Sequence, residues 1–454
     1  MPNCYIKQNI EPLVKQNLPT PFKSFQFVHM DMGDIPVRVG GIKVYTENVG
    51  RDKIIMDMDV TYAGDCEFIV AVGGISAGMG SLQFKGRLRA IMKPLVAKPP
   101  LVGGVEAFFL DNPTIDFDLT GIGEMVELPG LFSAIRSVVT DQVARICVLP
   151  KSIVVPLMEK VDPVVLHFNQ PDGIIRVHLV EARNLENRDI SFIKKGKSDP
   201  YARLTVGCQI FKSKIIENNL SPKWNEFFEA VVDQASGQHL IVELYDEDST
   251  GKDEELGRTV VDLDLVRRNG LLDQWFPLDN AKHGDIYLKL YWLSLSDQLA
   301  DLEKQQWDVQ WLSADMTLNC ALLMVYIDSA RDLPSPKADL EPSAFLEMSV
   351  GNQVQKTYTK PKTRNPVYEE KFLFLLDNPE NQSIKFEAKQ DGTNRNLGEI
   401  TVPIRQMFQE PRLEVNEHVF ALTQGSHAAP LVVTMRLRVF KSPPGMSGPG
   451  GGNK

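Results

Sequence analysis

Carboxylates crowd one short segment of the chain. Asp246, Asp248, Asp253 and Glu254 all belong to YDEDSTGKDEELG, residues 245–257. Like charges at this spacing repel one another, so the segment needs either open water or a bound cation. Calcium takes about six to eight hard oxygen ligands in flexible geometry, which carboxylates on a loop supply. Zinc or copper would favour His or Cys, and the segment contains neither.

A second acidic position makes calcium the favoured interpretation, although a solvated acidic turn would explain the first segment taken alone. Asp199 lies in KGKSDPY, residues 195–201, well before the cluster in the chain. Bound calcium would cancel or invert the negative charge of such a rim and let it approach an anionic membrane. Lys194, Lys195 and Lys197 would then contact lipid headgroups, while ordinary solubility is the alternative explanation of these lysines.

The composition limits the class of protein. The chain has 454 residues, 43% of them hydrophobic and 24% charged, which predicts several globular domains. The net charge of -10 argues against a general nucleic-acid binder. The five cysteines show no CxxC spacing and indicate reduced thiols, not disulfides or a zinc site. No apolar run reaches about eighteen residues, so we expect peripheral membrane contact at a cytoplasmic face.

The elements that must position the acidic segment belong to a diverged repeat. IIRVHLVEARNLEN (174–187) corresponds to LLMVYIDSARDLPS (322–335), and Pro222 corresponds to Pro366 with an offset of 144 residues. Each copy consists of short alternating strands separated by Pro, Gly, Asn and Asp. This pattern is typical of a β-sandwich.

The first 165 residues follow a different pattern, that of long strands with alternating faces. Polar residues such as Asp57 and Arg89 alternate with apolar ones in DKIIMDMDVTYAG and SLQFKGRLRAIMKPL. The pattern predicts antiparallel strands with one apolar face and one solvated face. The apolar face carries Ile54, Met56, Met58, Leu82, Phe84, Leu88, Ile115 and Phe117.

The first repeat resembles a C2 domain of the calcium-binding kind. GKSDPY, SPKWNE and YDEDSTGKDEELG carry the resemblance. In that family calcium lies between loops at one end of the sandwich. The resemblance implies that the ligands are Asp189, Asp199, Asp246 and Asp248, with Glu254 at the last position. Because Asp253 stands beside Glu254, the sequence leaves open which of the two reaches the metal.

The second repeat lacks these carboxylates. The positions of Asp199, Asp246, Asp248 and Glu254 are taken by Ser343, Gln390, Gly392 and Arg395. We therefore expect no calcium in this copy. It carries QKTYTKPKTRNP, in which Lys356, Lys360 and Lys362 are candidates for metal-independent contact with anionic lipid, with a solvated basic face as the alternative.

The strand-rich domain that precedes the two C2-like repeats carries a second resemblance. GGIKVYTENV, PLVGGVEAFFLDNPTIDFDLTG and VLPKSIVVPL are similar, in this order, to the SMP domain of extended synaptotagmins. Members of this family transfer lipid at contacts between the endoplasmic reticulum and the plasma membrane. Their SMP domains dimerise, here as a homodimer or with a paralogue, and carry glycerophospholipid or diacylglycerol in an apolar groove. The implied lining is Ile54, Met56, Met58, Leu82, Phe84, Leu88, Phe109, Ile115 and Phe117.

The resemblance implies a mainly β chain that starts with an α+β SMP domain containing a long twisted antiparallel sheet. The family's membrane hairpin and first SMP helix do not precede Met1, so we expect a shortened form without an endoplasmic reticulum anchor. The expected divisions are the SMP domain at 1–166, a calcium-binding C2 domain at 170–293, a linker at 294–315, a calcium-independent C2 domain at 316–440 and a disordered tail at 441–454.

Two other functions stay open at the level of sequence. One is a calcium-dependent membrane scaffold or tether that moves no lipid. The other is a lipid hydrolase, because residues 74–78 match the G-x-S-x-G nucleophile elbow with Ser76 as the nucleophile. That elbow needs a strand, a turn and a helix, whereas this segment runs toward another strand. We therefore expect a non-enzymatic, calcium-regulated protein that binds and transfers lipid.

Overall fold

The structure is a computed structural model in which the chain divides into two compact units, Met1–Leu166 and His167–Lys454. Each unit contains its own buried apolar clusters. The residues that the structure describes are 24, 26–31, 33–46, 50–72, 75–120, 139–140, 143–144, 146–158, 161–187, 197–248, 253–312, 318–335 and 340–443.

The first unit contains an antiparallel sheet of eight strands among its described residues. Strand β5 organises the sheet, because its first part pairs with β4 and β7 and its second part pairs with β3 and β6. The elements are β1 (Gln26–Asp31), β2 (Arg38–Tyr45), β3 (Ile54–Ala63), β4 (Glu67–Val72), β5 (Ile75–Leu95), β6 (Val102–Phe109), β7 (Thr114–Thr120), β8 (Ile153–Pro156) and the short helix α1 (Pro163–His167).

The alternation predicted for β5 is present in its middle. Leu82 and Phe84 are half-buried, whereas Gln83 and Lys85 are exposed. This is the pattern that a sheet produces when successive side chains point to opposite faces.

The face predicted to be solvated is buried at two ion pairs, Asp57–Arg89 and Lys93–Glu106, where the expectation is wrong. Arg89 is 1% exposed and Asp57 is 6% exposed. Arg89 Nε donates to Asp57 Oδ1 at 2.6 Å, and the Tyr45 hydroxyl donates to Asp57 Oδ2 at 2.7 Å. Buried charges persist when they are paired and hydrogen-bonded, and a pattern of polar residues alone does not show such pairing.

The second unit contains two β-sandwiches with a helix between them in the chain. The first sandwich comprises β9 (Gly173–Arg183), β10 (Pro200–Val206), β11 (Gln209–Lys212), β12 (Lys223–Val232), β13 (His239–Asp246), β14 (Glu254–Asp262), α2 (Leu263–Asn269), β15 (Leu271–Pro277) and β16 (Asp285–Ser296). The second comprises β17 (Ala321–Ala330), β18 (Ala344–Val350), β19 (Gln353–Lys356), β20 (Val367–Leu376), β21 (Ser383–Gln390), β22 (Asn396–Pro403), two 3-10 turns (Ile404–Gln409 and Pro411–Leu413), β23 (Glu414–Gln424) and β24 (His427–Lys441). The helix α3 (Ala300–Leu312) lies within the segment expected to be a linker.

The two sandwiches repeat the same local structure, which confirms the repeat seen in the sequence. The Ala182 N–H donates to the Pro222 carbonyl at 2.9 Å, and the Ala330 N–H donates to the Pro366 carbonyl at 3.0 Å. Trp224, which follows Pro222 by two residues, is 1% exposed and belongs to the core of the first sandwich.

A strand pairing joins the two sandwiches into one continuous sheet. Strand β16 pairs antiparallel with β24 through Ser294–Lys441, Leu295–Phe440 and Ser296–Val439. A buried ion pair also crosses the junction, with Lys371 Nζ 3.1 Å from Asp233 Oδ1. Backbone pairing and desolvated charge together hold the two sandwiches in one arrangement.

Candidate metal centre and apolar sheet face

Three strand ends of the first sandwich carry predicted acidic residues at the same end of the sandwich. Strand β10 begins immediately after Asp199, β13 ends at Asp246, and β14 begins at Glu254. Pro200 pairs with Asp246, and Asp246 pairs with Glu254. The three acidic residues therefore lie on neighbouring strands at the same end of the sandwich, which we call the acidic rim.

Backbone amides orient the carboxylates at the centre of the acidic rim. The Asp199 N–H donates to Asp246 Oδ1 at 2.6 Å, and the Glu247 N–H donates back to the Asp199 carbonyl at 3.1 Å. The Asn218 N–H donates to Asp199 Oδ1 at 2.5 Å. Asp246 is only 2% exposed. A carboxylate this deeply buried keeps its charge only when hydrogen bonds or a cation compensate for lost water.

Asp253 and Glu254 lie on opposite faces of the sheet. Residues directly opposed in an antiparallel pair point to the same face, so Glu254 shares the face of its partner Asp246. Asp253 is turned the other way, because its Oδ2 accepts from the Tyr201 hydroxyl at 2.6 Å. Its Oδ1 accepts from the Asp248 N–H at 3.2 Å. Glu254, and not Asp253, therefore shares the sheet face of Asp246.

Tyr201, Tyr245 and Lys212 form a cluster next to Asp253, on the sheet face opposite Glu254. Lys212 Nζ lies 3.8 Å from the centre of the Tyr201 ring, and Tyr245 stacks on Tyr201 with ring centres 5.6 Å apart. The hydrogen bond from Tyr201 lowers the pKa of the Asp253 carboxyl. Burial, together with that bond, raises the pKa of the Tyr201 phenol, which therefore remains a donor. Sequence reasoning missed the role of Tyr201, although it is the tyrosine of the SDPY motif.

The donor set fits calcium in its chemistry. Asp199, Asp246, Asp248 and Glu254 offer hard carboxylate oxygens from loops and strand ends, which is the ligand type that calcium prefers. Asp189 lies outside the described residues, as do Lys194 and Lys195. Within the described part of the chain, His, Cys, Asp and Glu side chains do not gather into a group of three or more that could hold a metal ion.

At the corresponding end, the second sandwich has the same hydrogen-bond pattern but different side chains. The Ser343 N–H donates to Gln390 Oε1 at 3.2 Å, and the Asp391 N–H donates to the Ser343 carbonyl at 2.8 Å. These bonds correspond to those of Asp199 and Asp246, but the carboxylates are replaced by an alcohol and an amide. The Gln390 backbone N–H also donates to the Arg395 carbonyl, at the position where the first sandwich has Glu254.

The predicted headgroup lysines are distributed over both sandwiches. Lys197 is exposed beside the acidic rim, and its N–H donates to Asn218 Oδ1 at 2.7 Å. In the second sandwich Lys356 and Lys362 are exposed, while Lys360 is half-buried and its backbone pairs with Ala344. The structure thus places Lys197 on the first sandwich and the other three on the second.

All nine predicted groove residues lie in β3, β5, β6 and β7 of the first unit. Met58, Leu88 and Phe109 are cross-strand neighbours in one row, and Ile115 pairs with Phe84. The Phe84 and Phe109 rings meet edge to face with centres 5.3 Å apart. Phe109, Ile115 and Phe117 are buried, and the other six are half-buried: Ile54, Met56, Met58, Leu82, Phe84 and Leu88.

A glycine keeps this row closely packed. A Cβ atom at Gly86 would lie 2.9 Å from the Phe109 ring. The Phe109 ring therefore occupies the space that a larger residue at position 86 would fill. Gly86 itself pairs with Val60 in β3.

The serine of the candidate nucleophile elbow lies inside a strand. Ser76 is the second residue of β5 and pairs with Ala71 of β4. A nucleophile elbow places its serine on a sharp turn between a strand and a helix. The described backbone that follows Ser76 continues as a strand and does not have this form.

Comparison with known proteins connects these features to described families. Residues 3–158 match the family model of the synaptotagmin-like mitochondrial-lipid-binding domain. Residues 173–278 and 321–419 match the C2 domain. The chain is 38% identical over 441 residues to extended synaptotagmin-2 of Mus musculus, which covers 96% of this chain and 52% of that protein. Extended synaptotagmin-1 of Rattus norvegicus is 35% identical over 444 residues, which covers 96% of this chain and 40% of that protein.

Solved structures give the same match in three dimensions. A structure of the SMP domain and two C2 domains of extended synaptotagmin 2 superimposes with a TM-score of 0.72 at 34% identity, covering 97% of this chain and 95% of that one. A calcium-bound structure of the same two C2 domains covers 60% of this chain and 99% of that one, with a TM-score of 0.55 at 38% identity. The chain spans about half the length of the curated relatives that it matches. In the described part of the chain, no helix has the length and apolar character that crossing a bilayer demands.

Proposed function

The chain belongs to the extended synaptotagmin family, and we propose on that basis that it is a non-enzymatic, calcium-regulated protein that binds and transfers lipid between membranes. The observation that carries this proposal is the presence of an apolar sheet face in one unit and an acidic rim in the other. One feature suits acyl chains, and the other suits a regulatory cation that brings the chain to a membrane.

The acidic rim is the proposed calcium site. Asp199, Asp246, Asp248 and Glu254 would hold the ion together with Asp189, while Asp253 braces the loop through Tyr201. Calcium bound there supplies the positive charge that an acidic surface lacks when it faces anionic lipid. Two features support this proposal: backbone amides hydrogen-bond to Asp199 and Asp246, and Glu254 is the cross-strand partner of Asp246. Lys197 would then contact headgroups at the same end.

The apolar sheet face is the proposed lipid groove. Its six half-buried residues present side chains that the described part of the first unit does not fully cover. Burial of each acyl CH₂ contributes about 0.8 kcal/mol, so two chains favour such a face strongly over water. Glycerophospholipid or diacylglycerol would suit this face. Lys356, Lys360 and Lys362 would add contacts with anionic membrane that need no metal.

The family relation supports a proposed place of action and a proposed assembly. We propose action at contacts between the endoplasmic reticulum and the plasma membrane, on the cytoplasmic face, with the SMP domain paired as a homodimer or with a paralogue. Native mass spectrometry of the purified chain tests lipid carriage and dimerisation. We expect a dimer that carries phospholipid mass, and a lipid-free monomer would contradict lipid carriage and dimerisation alike.

A scaffold that binds membranes without moving lipid is the competing function. Transfer of a fluorescent phospholipid from donor to acceptor liposomes separates the two. Calcium-dependent liposome binding without any transfer would favour the scaffold.

A further inference from the structure

A polar cavity lies where the two sandwiches join, away from the acidic rim. Its volume is about 370 Å³, and we call it the junction cavity. Ser294, Ser296 and Lys441, which line it, belong to the β16–β24 pairing that makes the sheet continuous. The rest of the lining includes Asp297, Arg412 and Arg438.

Arg438 supplies a fixed positive charge to the junction cavity. Its side chain is 3% exposed, and its Nε donates to Gln170 Oε1 at 2.6 Å. Its Nη1 donates to the Arg412 carbonyl at 3.1 Å, and its Nη2 donates to Glu414. A guanidinium held by so many partners cannot turn away to solvent, so its charge stays at the cavity.

Two further cations at the junction cavity have donors to spare. Arg412 is 70% exposed and uses only Nε, which donates to Asp297 Oδ2 at 2.9 Å. Its two Nη groups make no hydrogen bond or ion pair within the described part of the chain. Lys441 is exposed, and among the described residues its amino group likewise has no ion pair or hydrogen bond. Both side chains can therefore reach a ligand without breaking an existing contact.

The charge balance of the junction cavity is positive in an acidic protein. The lining contains three cations and one carboxylate, Asp297, which gives +2. Including the residues behind it, Arg436, Glu414 and Asp301, leaves +1, whereas the whole chain carries -10. Local positive potential against an acidic background concentrates anions at one place.

We propose that the junction cavity binds a small phosphate-bearing anion, such as a phosphomonoester or a diphosphate. Cavities that bind small molecules are usually about 300–1,000 Å³ and mostly apolar, so a polar, cationic cavity near the lower limit suits a hydrophilic anion. The planar fork of Arg412 matches phosphate geometry, and Lys441 adds a point charge. The ligand would contact both sandwiches and so stabilise their junction. This inference does not rest on calcium binding at the acidic rim.

The test is calorimetric titration of inorganic pyrophosphate into the full chain, with EGTA present to remove calcium. The pocket variant is Arg412→Gln with Lys441→Gln. The control variant is Arg331→Gln with Arg395→Gln, which removes the same charge in other loops of the second sandwich. The Arg331 N–H donates to the Pro430 carbonyl, at the opposite end of β24 from Lys441. We expect saturable binding to the natural chain and the control, and an affinity at least about tenfold weaker for the pocket variant.

Absence of pyrophosphate binding to the natural chain, or equal binding to all three proteins, would overturn the proposal. The single variant Lys441→Gln controls for misfolding, because replacing an exposed side chain should leave the fold intact. It should weaken pyrophosphate binding by itself. A second arm identifies the source of the phosphate by flotation with phosphatidylcholine vesicles that contain phosphatidic acid, again in EGTA. Selective loss of flotation in the pocket variant indicates a lipid headgroup. Unchanged flotation alongside weaker pyrophosphate binding indicates a soluble phosphate compound.

Discussion

The backbone N–H of Asp199 donates a 2.6 Å hydrogen bond to the carboxylate of Asp246, 47 residues further along the chain. The second sandwich forms the same bond at 3.2 Å between Ser343 and Gln390, also 47 residues apart. The bond therefore belongs to the architecture of both sandwiches, while the charge belongs to the first alone. If the first sandwich binds calcium as proposed, side-chain charge and not backbone geometry distinguishes it from the second.

Neutralising two rim carboxylates should abolish calcium-dependent membrane binding. Asp246→Asn with Asp248→Asn removes two proposed anionic ligands and keeps an amide oxygen that can accept from Asp199, as Gln390 accepts from Ser343. Cosedimentation with anionic liposomes in calcium and in EGTA measures the effect. Asp391→Asn in the second sandwich is the matched control and should bind normally. Binding of the double variant at the natural level would refute the assignment.

Glu254 and Asp253 should differ in their effect on calcium affinity. Glu254→Gln removes a proposed ligand from the face of Asp246, so we expect calcium affinity to fall by about tenfold or more. Asp253→Asn acts only through the position of the loop and should have a smaller effect, which Tyr201→Phe should reproduce because it removes the 2.6 Å bond. Calorimetric titration with calcium ranks the three variants. The reverse order would make Asp253 the ligand.

Bulky residues on the apolar sheet face should block lipid uptake. Leu82→Trp with Phe84→Trp fills the proposed groove, whereas Gln83→Trp with Lys85→Trp places the same residue type on the exposed face of the same strand. We expect the first pair to abolish extraction of fluorescent phospholipid from liposomes and the second pair to preserve it. Calcium binding should be normal in both. Equal extraction by the two variants would exclude this face as the groove.

The buried Arg89–Asp57 ion pair of the first unit should be a major contributor to its stability. Replacing one partner, as in Asp57→Asn, leaves Arg89 charged and 1% exposed. Such a loss costs about 3–5 kcal/mol, whereas replacing both by apolar residues costs less because no unpaired charge remains. Urea unfolding of Asp57→Asn, Arg89→Met and the double variant measures the change in the free energy of unfolding. A probe placed in the first unit monitors the transition. Additive losses in the double variant would contradict the pairing.

Local sequence pattern predicted much of the fold and part of the candidate site. Alternation placed Leu82 and Phe84 on one face, and the spacing of Pro222 and Pro366 revealed the repeated sandwich. These features depend on residues near one another in the chain or on a recurring pattern. The family relation follows from the comparisons and the shared fold.

The sequence pattern could not predict contacts between distant segments of the chain. The pairing of Asp57 with Arg89 converts two polar positions into buried ones, and the choice between Asp253 and Glu254 depends on the register of β13 and β14. The junction cavity requires the β16–β24 pairing, which joins residues 147 positions apart. Each of these depends on how strands align after the chain has folded.

Calorimetric titration of calcium into the full chain, with vesicles containing anionic phospholipid present, tests the central claim most directly. We predict saturable calcium uptake that is lost when Asp246 and Asp248 are both replaced by Asn. Absence of uptake by the natural chain, even with those vesicles present, would contradict the account of calcium regulation.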